Sequence, residues 1–486
     1  MFSSKEKIVF RTSVILALFL VSAFWLYTLF SVPTFDLDES LYRRAAEEMK
    51  RSGNYWLPAW DQVPLYHKPP IFYWFIILAS ACADASKELI SSVASRIPSL
   101  FCSAGIIIGL YFSNRLVLQE KDSFFESAQH NWTAPLLYLS ALFPILTGTS
   151  VIFDPFQTLC LFPALILMSR YFVSQSLTVK EICVAAFSIF AATAVKGLNG
   201  ILIPAFAFGL HGLLILFTDR KISARFLSAL KMGLKIFLPA AALSFVYYFY
   251  LDQRMGRAFT EEFFLVHHFG RSQQAMENHG GSFLYHPVFL WIGGGFLSFY
   301  IFNQFLSKKW EFLKFGFPLT FTAAFLILFS FSSTKLPHYT WPVWIAIAMQ
   351  GGILSCLFSK SSQRPSPQTF FAPWVSWITG FFGRLPLIFW AAVFAFLAVS
   401  PIELIRSFLH SHQADVILKF YSGMSFIQQS LLFASAFICI SIAFLPKQKI
   451  SISLLALSNL FCCLSLGFLL RRLRDLFYFH RKKTLQ

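Results

Sequence analysis

The sequence predicts an all-α polytopic membrane protein, and three observations carry that expectation. Of the 486 residues 56% are hydrophobic and 13% charged, with 61 Phe, and the mean hydropathy is +0.62. A water-facing surface cannot absorb so much apolar area. Apolar runs of about 20 residues, the length that crosses the hydrocarbon of a bilayer as a helix, recur almost from end to end. The Lys and Arg residues lie in the short stretches between these runs. The net charge of +17 therefore speaks for membrane topology and anionic headgroups and against nucleic acid.

About thirteen spans are expected, over 12–31, 94–114, 133–150, 155–173, 181–195, 198–217, 232–251, 287–306, 313–332, 338–358, 382–402, 424–445 and 450–470. The first follows Lys5, Lys7 and Arg11 and has no small-residue cleavage site after it, which reads as an uncleaved signal anchor. Within 32–93 the stretch Ile71–Ala83 is apolar but too short to span, so it is expected to be re-entrant or interfacial. The eight cysteines sit mostly inside apolar runs, without the spacing of a disulfide framework or a zinc knuckle, and read as core filler. The expected organisation is a transmembrane module over 1–358 with outer loops 32–93 and 252–286. Further apolar helices and a basic tail over 359–486 follow, with no separate soluble domain.

With the N-terminus in the cytoplasm, inner turns carry Arg220, Lys221, Arg225 and Lys231, then Lys308, Lys309 and Lys314, then Lys360 and Arg364, then Lys447 and Lys449. The opposite side receives 32–93, the turn at Phe153-Asp154-Pro155, Lys196-Gly197, loop 252–286 and Ser332 to His338. The tail from Arg471 to Lys483 falls outside on this count. It either lies on anionic lipid there or shows the count to be off by one.

The chemistry collects on that outer side. Phe35-Asp36-Leu37-Asp38-Glu39-Ser40-Leu41-Tyr42 opens an amphipathic helix with Leu41, Ala45 and Met49 on one face. Carboxylates at the mouth of a spanning helix are costly unless solvated, paired or used, although Asp38 can equally cap that helix. In Tyr66-His67-Lys68-Pro69-Pro70 the prolines keep a helix from starting earlier, leaving His67 and Lys68 on extended chain where they can bind a phosphate. Lys68 and Lys196 are also of the kind that anchors at an interface, Asp154-Pro155 can cap a helix, and His267, His268, His279 and His286 can be ordinary loop histidines.

These stretches resemble the bacterial aminoarabinose (lipid A) transferases and protein O-mannosyltransferases, membrane glycosyltransferases of the GT-C superfamily. The resemblance rests on Asp38-Glu39-x-x-Tyr42, Ser52-Gly53-Asn54-Tyr55-Trp56-x-Pro58, Lys68-Pro69-Pro70 with Tyr73-Trp74, and Phe153-Asp154-Pro155. It continues through Val195-Lys196-Gly197-Leu198-x-Gly200, Phe263-Phe264-x-x-His267-His268-x-Gly270-Arg271 with His279-Gly280-Gly281, and Ser333 to Tyr339 with Pro342, covering roughly 30–345.

The resemblance implies a GT-C bundle that transfers a sugar from a polyprenyl (undecaprenyl) monophosphate carrier, with inversion. The acceptor would be lipid A, another glycolipid or a protein hydroxyl on the outer, periplasmic face of a bacterial inner membrane. It implies Asp38 and Asp154 as catalytic residues, Asp38 being base or acceptor-orienting group, which fits the proton an acceptor hydroxyl must lose. Glu39, Tyr66, Lys68, Lys196, Arg271, His279, Lys335 and Tyr339 would bind substrate or its phosphate. No cofactor is required by these motifs, but His67 and His268 can hold a divalent metal such as zinc. In the aminoarabinose branch glutamates stand at the positions of His67 and His267, so this chain departs from the pattern there. The competing class is a lipid-linked-sugar flippase or secondary transporter, whose ionisable residues belong near the midplane rather than at helix ends on one face.

Overall fold

The structure is a computed structural model that describes residues 4–31, 37–83, 89–119, 128–139, 141–218, 222–270, 280–294 and 312–361, with isolated positions 273, 432, 434–436 and 438. The expected spans 382–402 and 450–470, most of 424–445 and the basic tail lie outside the described residues.

The fold is all-α and its helices follow the apolar runs. They are α1 (Ser4–Ser31), α2 (Leu37–Ser52), α3 (Ile71–Ala83), α4 (Ser92–Leu118), α5 (Ala128–Leu139), α6 (Leu142–Thr147), α7 (Asp154–Ser174), α8 (Val179–Lys196), α9 (Asn199–Thr218) and α10 (Ile222–Met255). After the single turn α11 (Arg257–Thr260) comes a π-helical segment, Glu261–Gly270, then α12 (Tyr285–Gly294), α13 (Phe312–Phe315) and α14 (Phe317–Phe331). A 3-10 turn, Pro337–Thr340, leads into α15 (Trp341–Ser361). Among the described residues five helices are long and apolar enough to cross a membrane, and α3, α14 and the stretch Val14–Phe30 of α1 are apolar too. The short helix expected at Ile71–Ala83 is present with those bounds.

One expected span is not a single helix. The stretch 133–150 divides into α5 and α6 and then leaves helical structure over Gly148–Phe153. Pro135 lies inside α5, and a side chain at Gly148 would meet the Pro144 carbonyl at 2.6 Å and the Trp25 ring at 2.7 Å. Irregular backbone at membrane depth is tolerable only if protein groups satisfy it. Ser103 Oγ donates to the Gly148 carbonyl at 2.9 Å, the Thr28 and Thr149 hydroxyls meet at 2.7 Å, and the Trp341 indole donates to Thr147 Oγ1 at 2.9 Å.

The large core runs through α1, α4, α5, α7, α8, α9, α14 and α15. Two smaller apolar clusters accompany it. One joins Tyr42, Ala45, Ala46 and Met49 of α2 to Phe72 and Tyr73 of α3 and to Phe153. The other gathers Tyr248, Leu251 and Met255 of α10 with Phe259 and Phe263.

The first outer loop is clamped rather than loose. Strands β1 (Ala59–Trp60) and β2 (Val63–Pro64) pair antiparallel, joined by Asp61 and Gln62 at φ 50° and 65°, the left-handed pair of a two-residue hairpin turn. The Trp74 indole donates to the Tyr55 carbonyl and packs edge-to-face on Trp56 at 5.0 Å. The Ser52–Pro58 motif is thereby locked onto α3.

Candidate active site

Four segments contribute the site: the start of α2, the loop before α3, the turn into α7 and the turn after α8. Leu37 begins α2, so Asp38 stands inside the first helical turn beside Glu39, where negative charge complements the helix dipole. The Tyr42 hydroxyl lies 3.4 Å from Asp38 Oδ2. Tyr42 is buried against Phe153 (4.9 Å between rings) and Tyr73 (6.1 Å). Burial, and after it the Asp38 carboxylate, pushes the Tyr42 phenol well above its usual range.

Glu39 turns inward. It is fully buried, pairs with Arg96 of α4 at 3.1 Å and accepts the Val151 amide at 2.9 Å. Arg96 also donates to the Thr28 carbonyl at 2.9 Å. One buried ion pair thus joins α1, α2, α4 and the turn that carries Asp154. Glu39 serves backbone and a guanidinium here. Arg96 was not among the expected residues; its signal was a lone charge in an apolar run, the situation that demands a partner.

Asp154 is the first residue of α7; Phe153 occupies the cap position and a proline follows within the first turn. Its carboxylate forms a buried ion pair with the Lys196 ammonium, which also lies 4.7 Å from the centre of the Tyr339 ring. Neither residue fits the simpler reading of cap or interfacial anchor. The turn that presents Lys196 needs its glycines. Gly197 has φ +97°, and a side chain on Gly200 would fall 2.4 Å from the Thr193 nitrogen. Tyr248 of α10 donates to the Thr193 carbonyl at 2.6 Å and stacks on Phe263 at 5.5 Å, tying this turn to the π-helical segment.

A cavity of ≈ 300 Å³ opens beside these groups. Lys68, Lys196 and Tyr339 line it together with the apolar Leu198, Leu202 and Leu328. Cations and apolar side chains in one cavity suit a phosphate joined to a hydrocarbon chain. His67 and His267 also line it.

These histidines form a candidate metal centre with Glu262, the ligand atoms of all three lying within 4.8 Å of one another. His67 Nδ1 is 3.9 Å and His267 Nε2 3.5 Å from Glu262 Oε1. Two ligands on one tetrahedral zinc stand about 3.3 Å apart, so the set fits zinc after small side-chain movements. His267 and Glu262 thus accompany His67 in place of the expected His268, whose side chain lies outside the described residues. Glu262 lay in the outer loop with nothing in its local pattern to single it out. Such an ion would act as a Lewis acid toward phosphate oxygens.

No family model matches the sequence, and no curated protein matches it significantly. Solved structures do match. The fold superposes on ArnT from Cupriavidus metallidurans bound to undecaprenyl phosphate with a TM-score of 0.67 at 17% identity, covering 95% of this chain and 77% of that one. The apo state of the same ArnT gives a TM-score of 0.66 at 16% identity, covering 95% and 76%. The chain adopts the GT-C fold.

Within this GT-C fold the expected site residues separate into groups. Asp154 and Lys196 form a buried ion pair beside the Tyr339 ring, Lys68, Lys196 and Tyr339 line one cavity, and Asp38 meets the Tyr42 hydroxyl. Tyr66 stands apart from the cavity, packed edge-to-face on Phe259 at 6.4 Å, so it braces the loop. Lys335 is buried and donates to the Phe329 and Ser330 carbonyls, each at 2.7 Å. It closes the C-terminus of α14, and burial lowers its pKa. Arg271 and His279 lie outside the described residues.

Proposed function

We propose that this protein transfers a sugar from a polyprenyl monophosphate carrier of the undecaprenyl type to an acceptor at the outer face of a bacterial inner membrane. The observation that carries the reading is the cavity lined by Lys68, Lys196 and Tyr339 together with Leu198, Leu202 and Leu328. Lys68 takes the phosphate of the incoming donor and the leucines take the first isoprene units. The undecaprenyl phosphate bound in the similarly folded ArnT supports the same ligand class.

Asp38 acts as base or holds the acceptor hydroxyl as it attacks the anomeric carbon from the face opposite the phosphate, with inversion. Asp154 restrains Lys196 and shares the negative field. Lys68, Lys196 and Tyr339 stabilise charge on the departing phosphate. The acceptor is a lipid A or other glycolipid headgroup, or a protein hydroxyl.

Purified protein given undecaprenyl phosphate carrying a tritiated sugar, with an envelope extract as acceptor, is expected to move label onto that acceptor. Asp38→Asn is expected to lower the rate at least about 100-fold. Unreduced transfer by Asp38→Asn would remove Asp38 from the chemistry, and no transfer by the parent protein with any such donor would remove the reading itself.

A further inference from the structure

We propose that Asn199 binds the phosphate of the lipid donor through its carboxamide N–H groups; this rests on the transferase reading above. Asn199 opens α9, a run in which Gly200 to Leu210 carry no polar side chain. An asparagine at a helix start is most simply a cap, and the backbone excludes that use here. The Gly200 amide goes to the Gly197 carbonyl at 3.0 Å, and the Ile201 and Leu202 amides go to the Leu198 carbonyl at 3.1 and 2.9 Å. The amides that an Asn199 cap would serve are therefore already satisfied. Its half-buried side chain instead lines the cavity of ≈ 300 Å³ with Lys68, Lys196 and Tyr339. The turn before it is held by Gly197 at φ +97° and by Tyr248 on the Thr193 carbonyl at 2.6 Å.

Two helices order the cavity lining by depth. On α9, Leu202 and Ile203 follow Asn199 by three and four positions, so they share its face one turn further in, about 5 Å away. On α14, Leu328 and Phe329 precede Ser332, the C-cap, by the same spacing. All of these residues line the cavity. The register of the two helices comes from one contact, His211 Nδ1 to Thr320 Oγ1 at 2.7 Å. From Asn199 to His211 is 211 − 199 = 12 residues, and from Thr320 to Ser332 is 332 − 320 = 12 residues. Asn199 and Ser332 thus stand at one level, about 18 Å from that contact. Both walls are polar at the helix end and apolar one turn in. A ligand that fits both has a compact polar head with a hydrocarbon chain directly beneath it, and in a lipid phosphate that head is the phosphate.

The carboxamide is neutral, and that decides its part. Its N–H groups donate to phosphate oxygens without altering the charge balance of the lysines and carboxylates. It meets the phosphate in the bound donor and in the departing monoester alike, so its contribution belongs to binding rather than to the chemical step. A carboxylate at the same place would repel the phosphate.

The test uses the full chain in phospholipid nanodiscs. Undecaprenyl phosphate is the binding probe, undecaprenol is the same chain without phosphate, and the tritiated-sugar phosphate is the donor. Asn199→Ala is expected to raise the Kd for undecaprenyl phosphate about 10-fold, the loss of one hydrogen bond to a charged group, and to bind undecaprenol as the parent does. For the donor, kcat/KM is expected to fall by the same factor, through KM. Asn199→Asp, of equal size, is expected to bind the phosphate more weakly still, and it decides alone if Asn199→Ala does not fold. Should these variants bind undecaprenyl phosphate like the parent, or lose undecaprenol equally, Asn199 does not hold the phosphate and the transferase reading stands. Should the parent bind the probe and consume no donor, that reading falls and the Kd ratios alone decide the contact. Should the parent bind neither lipid, both fall.

Discussion

Arg96 is the residue whose replacement separates stability from chemistry most cleanly. Arg96 and Glu39 have side-chain exposures of 2% and 1%. Arg96→Leu therefore leaves a carboxylate buried beside the Val151 amide without the guanidinium. Breaking a buried pair from one side costs about 3–5 kcal/mol. At about 2 °C per kcal/mol for a long chain, the midpoint of thermal unfolding in detergent falls by about 6–10 °C. Replacing the whole pair by apolar groups is often neutral, so Glu39→Leu/Arg96→Leu is expected to regain most of that loss. The double variant still deprives the Val151 amide of its acceptor, three residues before Asp154, and its donor turnover is expected to stay low while its melting recovers. A double variant no more stable than Arg96→Leu would refute the reasoning, because the cost would then not be that of a stranded charge.

Four further outcomes are expected. The Tyr42 phenol, with an ordinary value of 10.0, holds its proton longer folded than unfolded. The stability this contributes is complete below pH 10 and is lost as pH rises from there toward the folded value, so chemical denaturation across pH 9–11 should show a shallower alkaline decline for Tyr42→Phe. Gly200→Ala drives a methyl group into the α8 backbone and is expected to abolish monodisperse expression, whereas Gly197→Ala, strained at positive φ, costs about 1–3 kcal/mol in unfolding experiments. Zinc bound to the purified protein, measured by plasma mass spectrometry, is expected to disappear in His67→Ala and in Glu262→Gln; retention in both would dissolve the proposed centre. Lys196→Met is expected to lower kcat more than it raises KM for the donor, and the reverse pattern would assign Lys196 to ground-state binding.

Much of this architecture is legible in the sequence because lipid imposes simple rules. A run such as Asn199–Thr218 must bond its own backbone and so must be helical. Ile71–Ala83 is too short to do more than lie at or re-enter the surface, and the structure gives it those bounds. Asp38, Lys68, Asp154 and Lys196 stand out in the sequence for a related reason, since charges at helix mouths have few other uses. What escaped was pairing across distance. Nothing near Arg96 in the chain announces Glu39, 57 positions away. Lys335 and Lys196 look alike as single lysines beside apolar runs, yet one closes a helix end and the other meets a carboxylate. The need for glycine at 148 was invisible because the Trp25 ring that crowds it lies in another helix.

The pairing of Lys196 with Asp154 also bears on how the site can work. Two carboxylates and two ammonium groups make these four residues neutral together. A phosphodiester donor adds one negative charge, and cleavage of its sugar bond raises that to about two before protonation. A site that spent both lysines on the incoming donor would stabilise substrate and transition state alike and gain nothing in rate. Lys196 is instead restrained by Asp154 and the Tyr339 ring, lining the same cavity as Lys68. A small movement of its ammonium toward the phosphate becomes favourable only as the second charge appears. On the proposed transfer the ion pair holds a cation in reserve, and the Arg96–Glu39 pair, which accepts the Val151 amide three residues before Asp154, keeps that reserve within reach.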